Sequence, residues 1–498
     1  MEGIVFDKEI ECKSLPELVK LCHRRLTESK AVERAARSAL YREKWAAAGV
    51  EAAKVRTYAD LTALPYLTGK ELRAVQAQYH PDEWVCSENV RLWISTSGTT
   101  GTPKWIPVGE GDIGAFRESI RRLIALIVGH MEDWSVLYLG GMAPFISESG
   151  GYILLVNQIL DERPSEFGFF AMPEAFDAFN FARLQKPEGV FLAPSLAVLL
   201  GENVTKQAAP GARELFKKEP NLRNLLGVLA TSVMKIRAKH VFGFKWGAFG
   251  GEPVDPYRGA IAEHYGFQPA SAYGATELLY TCPVAECAAH TGMHVYMDVC
   301  LPEVIPQVEL EKEADDPEYV PQAIPMWEAT PGLTGELVLT TFADGLPLIR
   351  YRMSDLIEVV STEPCQCGRT HPKVKVLYRS DDMVTLGLVR FSIYGLKDKL
   401  EEVGEHGHIA KWQLRASREG VKAKAVLVVQ PGDDVADRDA FAKEIAGKVD
   451  ELEGVRQAWE NGLIAQPEVR LVDELIEVRN TLGKVKLLIY EEAYFQQA

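Results

Sequence analysis

The sequence predicts an α/β protein: a large N-terminal domain of parallel and mixed sheets covered by helices, with a β-rich subdomain, then a small mobile α+β C-terminal domain. Between about 134 and 280, short apolar runs alternate with helical ones, each punctuated by Gly, Pro or Ser, the texture of parallel strands covered by helices. After Met293 the texture changes to successive strands. Beyond Arg379-Ser380-Asp381-Asp382 a smaller mixture begins, dividing the chain into 1–380 and 381–498.

In order along the chain, residues 14–50 read as helical, with Leu15, Leu18, Leu21, Leu26, Val32, Ala36, Leu40 and Trp45 at three- and four-residue steps before Gly49. Leu64-Pro65-Tyr66-Leu67-Thr68-Gly69-Lys70 breaks the helices. The apolar runs that follow include 134–139, 189–192, 226–230 and 245–249. The later strands are read at 294–299, 304–310, 335–341 and 356–360. A polar, proline-containing stretch at 311–334 reads as an exposed excursion. In the C-terminal part, helices are expected at 395–403 and 437–451, and strands near 410–416, 423–429 and 468–472.

The balance of 55 basic against 70 acidic side chains gives a net charge of -15, which disfavours binding to a nucleic-acid backbone. No apolar run approaches membrane-spanning length and the first residues lack a signal-peptide pattern, so a cytoplasmic protein without membrane contact is expected; a homodimer is left open. Eight cysteines in 498 residues are too sparse for a disulfide scaffold.

Ser95-Thr96-Ser97-Gly98-Thr99-Thr100-Gly101-Thr102-Pro103-Lys104 follows a strand-like Val90 to Ile94. Such a run cannot pack into a core, yet it supplies backbone N–H groups, hydroxyls and one cation, which polyphosphate oxygens need. It is not a Walker A loop, because no Gly-Lys-Ser or Gly-Lys-Thr closes it at the required gap.

Four motifs follow in order: Phe249-Gly250-Gly251-Glu252-Pro253; Ala272-Tyr273-Gly274-Ala275-Thr276-Glu277; Gly335-Glu336-Leu337 with Arg350-Tyr351-Arg352-Met353-Ser354-Asp355; and Gly483-Lys484. Together with the hydroxyl-rich run they resemble the acyl-adenylate-forming superfamily, most closely its phenylacetate-CoA ligase branch, over nearly the whole chain. The resemblance implies ATP, Mg²⁺ and coenzyme A as cofactors and a carboxylic acid as substrate. Ser97, Gly98, Thr99, Thr100 and Gly101 would hold the β- and γ-phosphates with Lys104. Gly251, Glu252, Pro253, Ala272, Tyr273 and Gly274 would form the adenine slot. Thr276 would touch the α-phosphate, Glu277 would hold Mg²⁺, and Asp355 would accept from the ribose hydroxyls with Arg379 in support. Lys484 resembles the family's C-terminal catalytic lysine, and Asp381 its hinge. After the hinge this chain departs from the family's usual segment, retaining Gly387 and offering Arg390 to a CoA phosphate.

Cys287 and His294 are separated by six residues, and Cys365-Gln366-Cys367 lies on a later loop. Thiolate and imidazole are zinc's preferred ligands, so a structural Zn²⁺ is a candidate, with Cys282, His290 and His371 competing for the same role. The acid pocket is expected from Met142, Phe145, Gly150, Gly151, Pro194 and Phe249, apolar or small residues that favour an arylacetate or benzoate-like acid. Two rival readings are an adenylating enzyme with an amine or other non-CoA acceptor, and a nucleotide-binding regulatory protein without turnover.

Overall fold

The computed structural model describes residues 7–95, 104–128, 141–145, 167–171, 182–184, 186–251, 253–278, 284–316, 318–379, 383–387, 389–452, 454–476, 478 and 487–491. Its centre is a twelve-stranded mixed sheet. One half is parallel: strands Phe167–Ala171, Gly141–Phe145, Gly189–Leu192, Trp246–Phe249 and Ala270–Tyr273 lie side by side in that order. The other half is antiparallel, running from Val284–Glu286 through Met293–His294, Lys373–Arg379, Tyr351–Ser361, Thr334–Thr341 and Cys300–Pro306 to Ile324–Pro325. The join falls where Ala272 and Tyr273 pair with Ala285 and Val284.

Helices cover this sheet because their apolar stripes require it. In Leu15–Glu28, Leu18, Leu21, Cys22 and Leu26 are buried at three- and four-residue steps, and Ser14 and Glu17 close a capping box. The region read as continuously helical is divided into Leu15–Glu28, Ala31–Ala35 and Arg42–Ala47. Its residues Leu18 and Trp45, with Leu64 beyond it, join Val304, Leu337 and Ile357 of the antiparallel half in one core.

A separate core gathers Val384, Leu396, Leu414, Leu427, Phe441 and Ile464. It is built on strands Glu468–Leu471, Lys422–Pro431, Ile409–Glu419 and Leu488–Tyr490, in that order, with helices Ile393–Glu401 and Arg438–Asp450. Strand Leu488–Tyr490, absent from the sequence reading, pairs parallel with Leu414–Ala416. Among the described residues, no helix is long and apolar enough to cross a membrane.

Three expectations are corrected. Residues 226–230 lie inside helix Leu222–Val233; Leu222, Leu225, Leu226, Leu229 and Val233 recur at helical spacing, and a short window conceals that period. The strand expected at 304–310 ends at Pro306, whose extended backbone precedes helix Gln307–Asp315. The 311–334 stretch is not a free excursion. Tyr66 and Tyr58 donate hydroxyl hydrogen bonds to the carbonyls of Pro321 (2.9 Å) and Ala323 (3.1 Å), Ile324–Pro325 adds a strand to the sheet, and Met326 is fully buried. Its acidic Glu313 is bound by both terminal nitrogens of Arg352.

Candidate active site

The hydroxyl-rich run 96–103 lies outside the described residues. The strands that flank it pair antiparallel, Ser95 opposite Trp105, and Lys104 stands at the start of the second. Its ammonium pairs with the Glu277 carboxylate and donates to the Tyr351 hydroxyl at 3.0 Å. Tyr351 in turn donates to Glu277 Oε1 at 3.1 Å. Burial works to raise the Glu277 pKa, but the adjacent Lys104 charge and hydrogen bonds outweigh it and hold the carboxyl below its usual range. Glycine at 69 leaves room for the group: a Cβ there would lie 3.2 Å from the Tyr351 hydroxyl and 3.4 Å from the Lys104 ammonium.

Tyr351 is aimed by its neighbours. Leu67 bonds the backbone on both sides of it, through Arg350 O at 3.1 Å and Arg352 N–H at 2.9 Å. Arg350, at φ 48°, turns into the core, grips Glu303 through Nε and a terminal nitrogen, and caps the carbonyls of Thr62 and Leu64. Arg352 bonds Glu336 as well as Glu313. The Glu336 carboxylate also accepts from the Ser354 N–H at 3.0 Å, fixing a residue at φ 57° immediately before Asp355.

Asp355 is buried and accepts from the Tyr273 hydroxyl at 2.7 Å. Its backbone faces Arg379 across the strand pair; the Arg379 side chain is outside the described set. Thr276 opens the short turn Thr276–Leu278 that carries Glu277, and Ala272 and Tyr273 end the last parallel strand. Gly251, at φ 88°, follows the end of the neighbouring strand with Pro253 close behind. Preceding it, Gly250 has no room for a Cβ, which would sit 2.7 Å from Ala272 O. Exposed Gly274 has open space around it. Gly251, Tyr273, Gly274, Thr276 and Glu277 therefore lie at or just beyond the carboxyl ends of two parallel strands, where open α/β sheets bind ligands.

Other expected residues fall elsewhere. Lys484, Asp381, Glu252, Cys282, Gly150 and Gly151 lie outside the described residues, and Met142 and Phe145 are described only as parts of strand Gly141–Phe145. Pro194 starts helix Pro194–Lys218. Phe249 is fully buried, its ring centroid 6.4 Å from that of Phe267 within the core. Gly387 sits at φ 60° in the tight turn joining Met383–Leu386 to Val389–Ser392, a geometry that accounts for glycine there; the Arg390 side chain is not described.

The cysteine candidates converge. Ligand atoms of Cys287, His294, Cys365 and Cys367 all lie within 4.8 Å of one another, and all four residues are buried. Cys287 and Cys365 sulfurs are 3.7 Å apart, and Cys367 Sγ is 3.5 Å from His294 Nε2. A zinc ion at about 2.3 Å from each sulfur in a tetrahedron requires sulfurs about 3.7 Å apart. His294 Nδ1 lies 3.2 Å from the His371 carbonyl; donation there leaves Nε2 with its lone pair toward the sulfurs. Hydrogen bonding from Cys287 draws the Cys365 and Cys367 thiols below their ordinary range. His371 and His290 are excluded from the set: His371 Nδ1 accepts from the Met297 N–H at 3.2 Å, and His290 contacts Glu286 and Arg258.

Sequence reasoning missed Tyr351 as a member of the site, although it stands in the Arg350-Tyr351-Arg352 motif. It also missed the buried partners Glu303, Glu11 and Asp298, for which a single sequence carries no signal.

No family model matches the chain. Phenylacetate-coenzyme A ligase of Pseudomonas putida is 24% identical over 70% of this chain and 67% of its own length, and that of Escherichia coli K12 is 25% identical over 82% of each. A phenylacetate-coenzyme A ligase of Aromatoleum evansii is 23% identical over 90% of this chain and 89% of its own. Among solved structures, 2-hydroxyisobutyryl-CoA ligase in complex with 2-HIB-AMP and CoA matches with a TM-score of 0.62 at 19% identity, covering 99% of this chain and 95% of that one. The chain thus shares the fold of 2-hydroxyisobutyryl-CoA ligase. In sequence it is similar to the three phenylacetate-coenzyme A ligases.

Proposed function

We propose that this chain joins a carboxylic acid to the α-phosphate of ATP, releasing pyrophosphate, and then passes the acyl group to coenzyme A with release of AMP. The observation that carries this reading is the Lys104–Tyr351–Glu277 cluster beside the Tyr273–Asp355 pair, at the carboxyl ends of the parallel strands. Attack of a carboxylate on a phosphate brings two anions together, and positioned cations and N–H donors relieve that repulsion.

In this reading Ser97 to Gly101 hold the β- and γ-phosphates. Lys104 exchanges its carboxylate partner for a phosphate oxygen, which frees the Glu277 oxygens. An ionised carboxylate is a fitting ligand for Mg²⁺, which would neutralise polyphosphate charge there. Thr276 contacts the α-phosphate; Gly251, Glu252, Pro253, Ala272, Tyr273 and Gly274 receive the adenine. Asp355 accepts from the ribose diol, with Arg379 in support. Lys484 bridges the attacking carboxylate and the α-phosphate, and rotation about Asp381 of domain 381–498 against domain 1–380 replaces it with the thiol. The Gly387 turn and Arg390 meet coenzyme A. The acid is aromatic, arylacetate or benzoate-like, in keeping with the three relatives' names. The tetrad of Cys287, His294, Cys365 and Cys367 holds a structural zinc.

A panel of carboxylic acids offered with ATP, Mg²⁺ and CoA, followed by mass spectrometry, tests substrate and acceptor together. An aryl-CoA product with AMP supports the reading; acyl transfer only to an amine overturns the acceptor, and absence of pyrophosphate exchange with every acid overturns adenylation. Lys484→Ala should abolish acyl-AMP formation while sparing thioester formation from supplied acyl-AMP; equal loss of both would overturn the two-orientation mechanism.

A further inference from the structure

The cysteine loop is bound from outside by a segment that the catalytic reading does not use. Within the loop, Cys365 N–H donates to Arg369 O at 2.8 Å and Gly368 N–H to Cys365 O at 2.9 Å, with Gly368 at φ 87°. Onto this knuckle folds segment 7–13, whose short helix Lys8–Glu11 is capped by Asp7. Thr370 N–H donates to Glu11 O at 3.0 Å, and its hydroxyl lies within bonding distance of the Glu11 and Lys13 carbonyls. Arg369 Nε donates to Glu11 Oε2, while its backbone carbonyl accepts from the Cys365 N–H. Arg369 therefore joins the Glu11 carboxylate, through its side chain, to the backbone of a tetrad residue, through its carbonyl.

The surrounding charges agree with this arrangement. Glu11, Arg122, Asp298, Arg369 and Lys373 are each no more than 7% exposed. Arg122 bonds both Asp298 oxygens and stands 3.4 Å from Glu11 Oε1, and Lys373 Nζ lies 3.8 Å from Cys365 Sγ. Three cations face two carboxylates, leaving one uncompensated positive charge. A divalent ion held by three thiolates and a neutral imidazole carries one negative charge. Such a centre would offset that positive charge.

We propose that segment 7–13 is a latch on the metal-binding knuckle, coupled to it through Arg369, so that an ion in the tetrad and the seating of the segment stabilise each other. This rests on the reading of the tetrad as a zinc centre. Thermodynamic reciprocity then requires that removing the ion loosen the segment, and that loosening the segment weaken retention of the ion. Arg369 acts as a positioning residue, and partners in this second layer typically alter metal retention about 10–100-fold.

The test uses the full chain, zinc content by mass spectrometry, and limited trypsin digestion read at Lys13. Removing zinc with a chelator should accelerate cleavage after Lys13 by about tenfold or more while cleavage within 437–460 stays unchanged, and zinc added back should restore protection. In Glu11→Gln, zinc should still bind at one per chain, but its protection of Lys13 should disappear; Arg369→Gln should release zinc about 10–100-fold faster. If stoichiometric zinc is removed and Lys13 cleavage does not change, the latch is overturned and the zinc centre stands. If the wild-type chain takes up no zinc after reconstitution, both readings fall. The chelator arm needs no variant, so a misfolded substitution does not obscure the answer.

Discussion

The Lys104 ammonium lies against the Glu277 carboxylate with the Tyr351 hydroxyl bonded to both. Each charge would be expensive to bury alone, so the pair keeps a cation and an anion in place at the proposed ATP site. Lys104→Ala should lower pyrophosphate exchange by about 10²–10³-fold, the range for a group that stabilises developing charge. A loss under threefold in that assay would remove Lys104 from the reaction.

The same pair has a pH signature. The folded Glu277 pKa lies below its ordinary value of 4.5, so the group contributes stability above that pH and loses it as pH falls through the folded value. In Lys104→Ala, burial is left without its counter-charge and the pKa rises; the contribution then reverses, with stability regained on acidification. Urea midpoints of both proteins between pH 3.5 and 7 should show opposite trends for this group.

Tyr351→Phe keeps the ring and deletes the hydroxyl shared by Lys104 and Glu277. We expect about a tenfold loss of adenylation, equivalent to roughly 1.4 kcal/mol, with the thermal unfolding temperature unchanged. A large fall in that temperature would assign Tyr351 to structure.

Asp355→Asn should raise KM for ATP by about tenfold and leave KM for the acid unaltered, because the Tyr273-bound carboxylate is placed for the nucleotide. Steady-state kinetics with each substrate varied separates the two, and an equal rise in both would refute a ribose contact.

Glu303→Ala should be among the most destabilising substitutions, about 3–5 kcal/mol, since it strands the buried Arg350 guanidinium. Chemical denaturation measures it.

Much of this architecture was legible because period and punctuation carried it. The 189–192 and 245–249 runs became neighbouring parallel strands, and 410–416 with 423–429 became the long pair Ile409–Glu419 and Lys422–Pro431. The candidate metal ligands were legible as residue types but not as a set; only folding excludes His371 and His290 and brings Cys287 to Cys365. The tight packing of 311–334 was illegible, because its anchors are Tyr58, Tyr66 and Arg352, distant in sequence.

Arg350, Tyr351 and Arg352 reach three different destinations: the buried Glu303, the Lys104–Glu277 pair, and the Glu313–Glu336 carboxylates. Along a strand, successive side chains point to opposite faces, so a single inserted or deleted residue just upstream would misdirect all three together. Point changes here should thus be graded in effect, whereas a one-codon indel should act as an all-or-none lesion, simultaneously unseating the core and disarming the reaction centre.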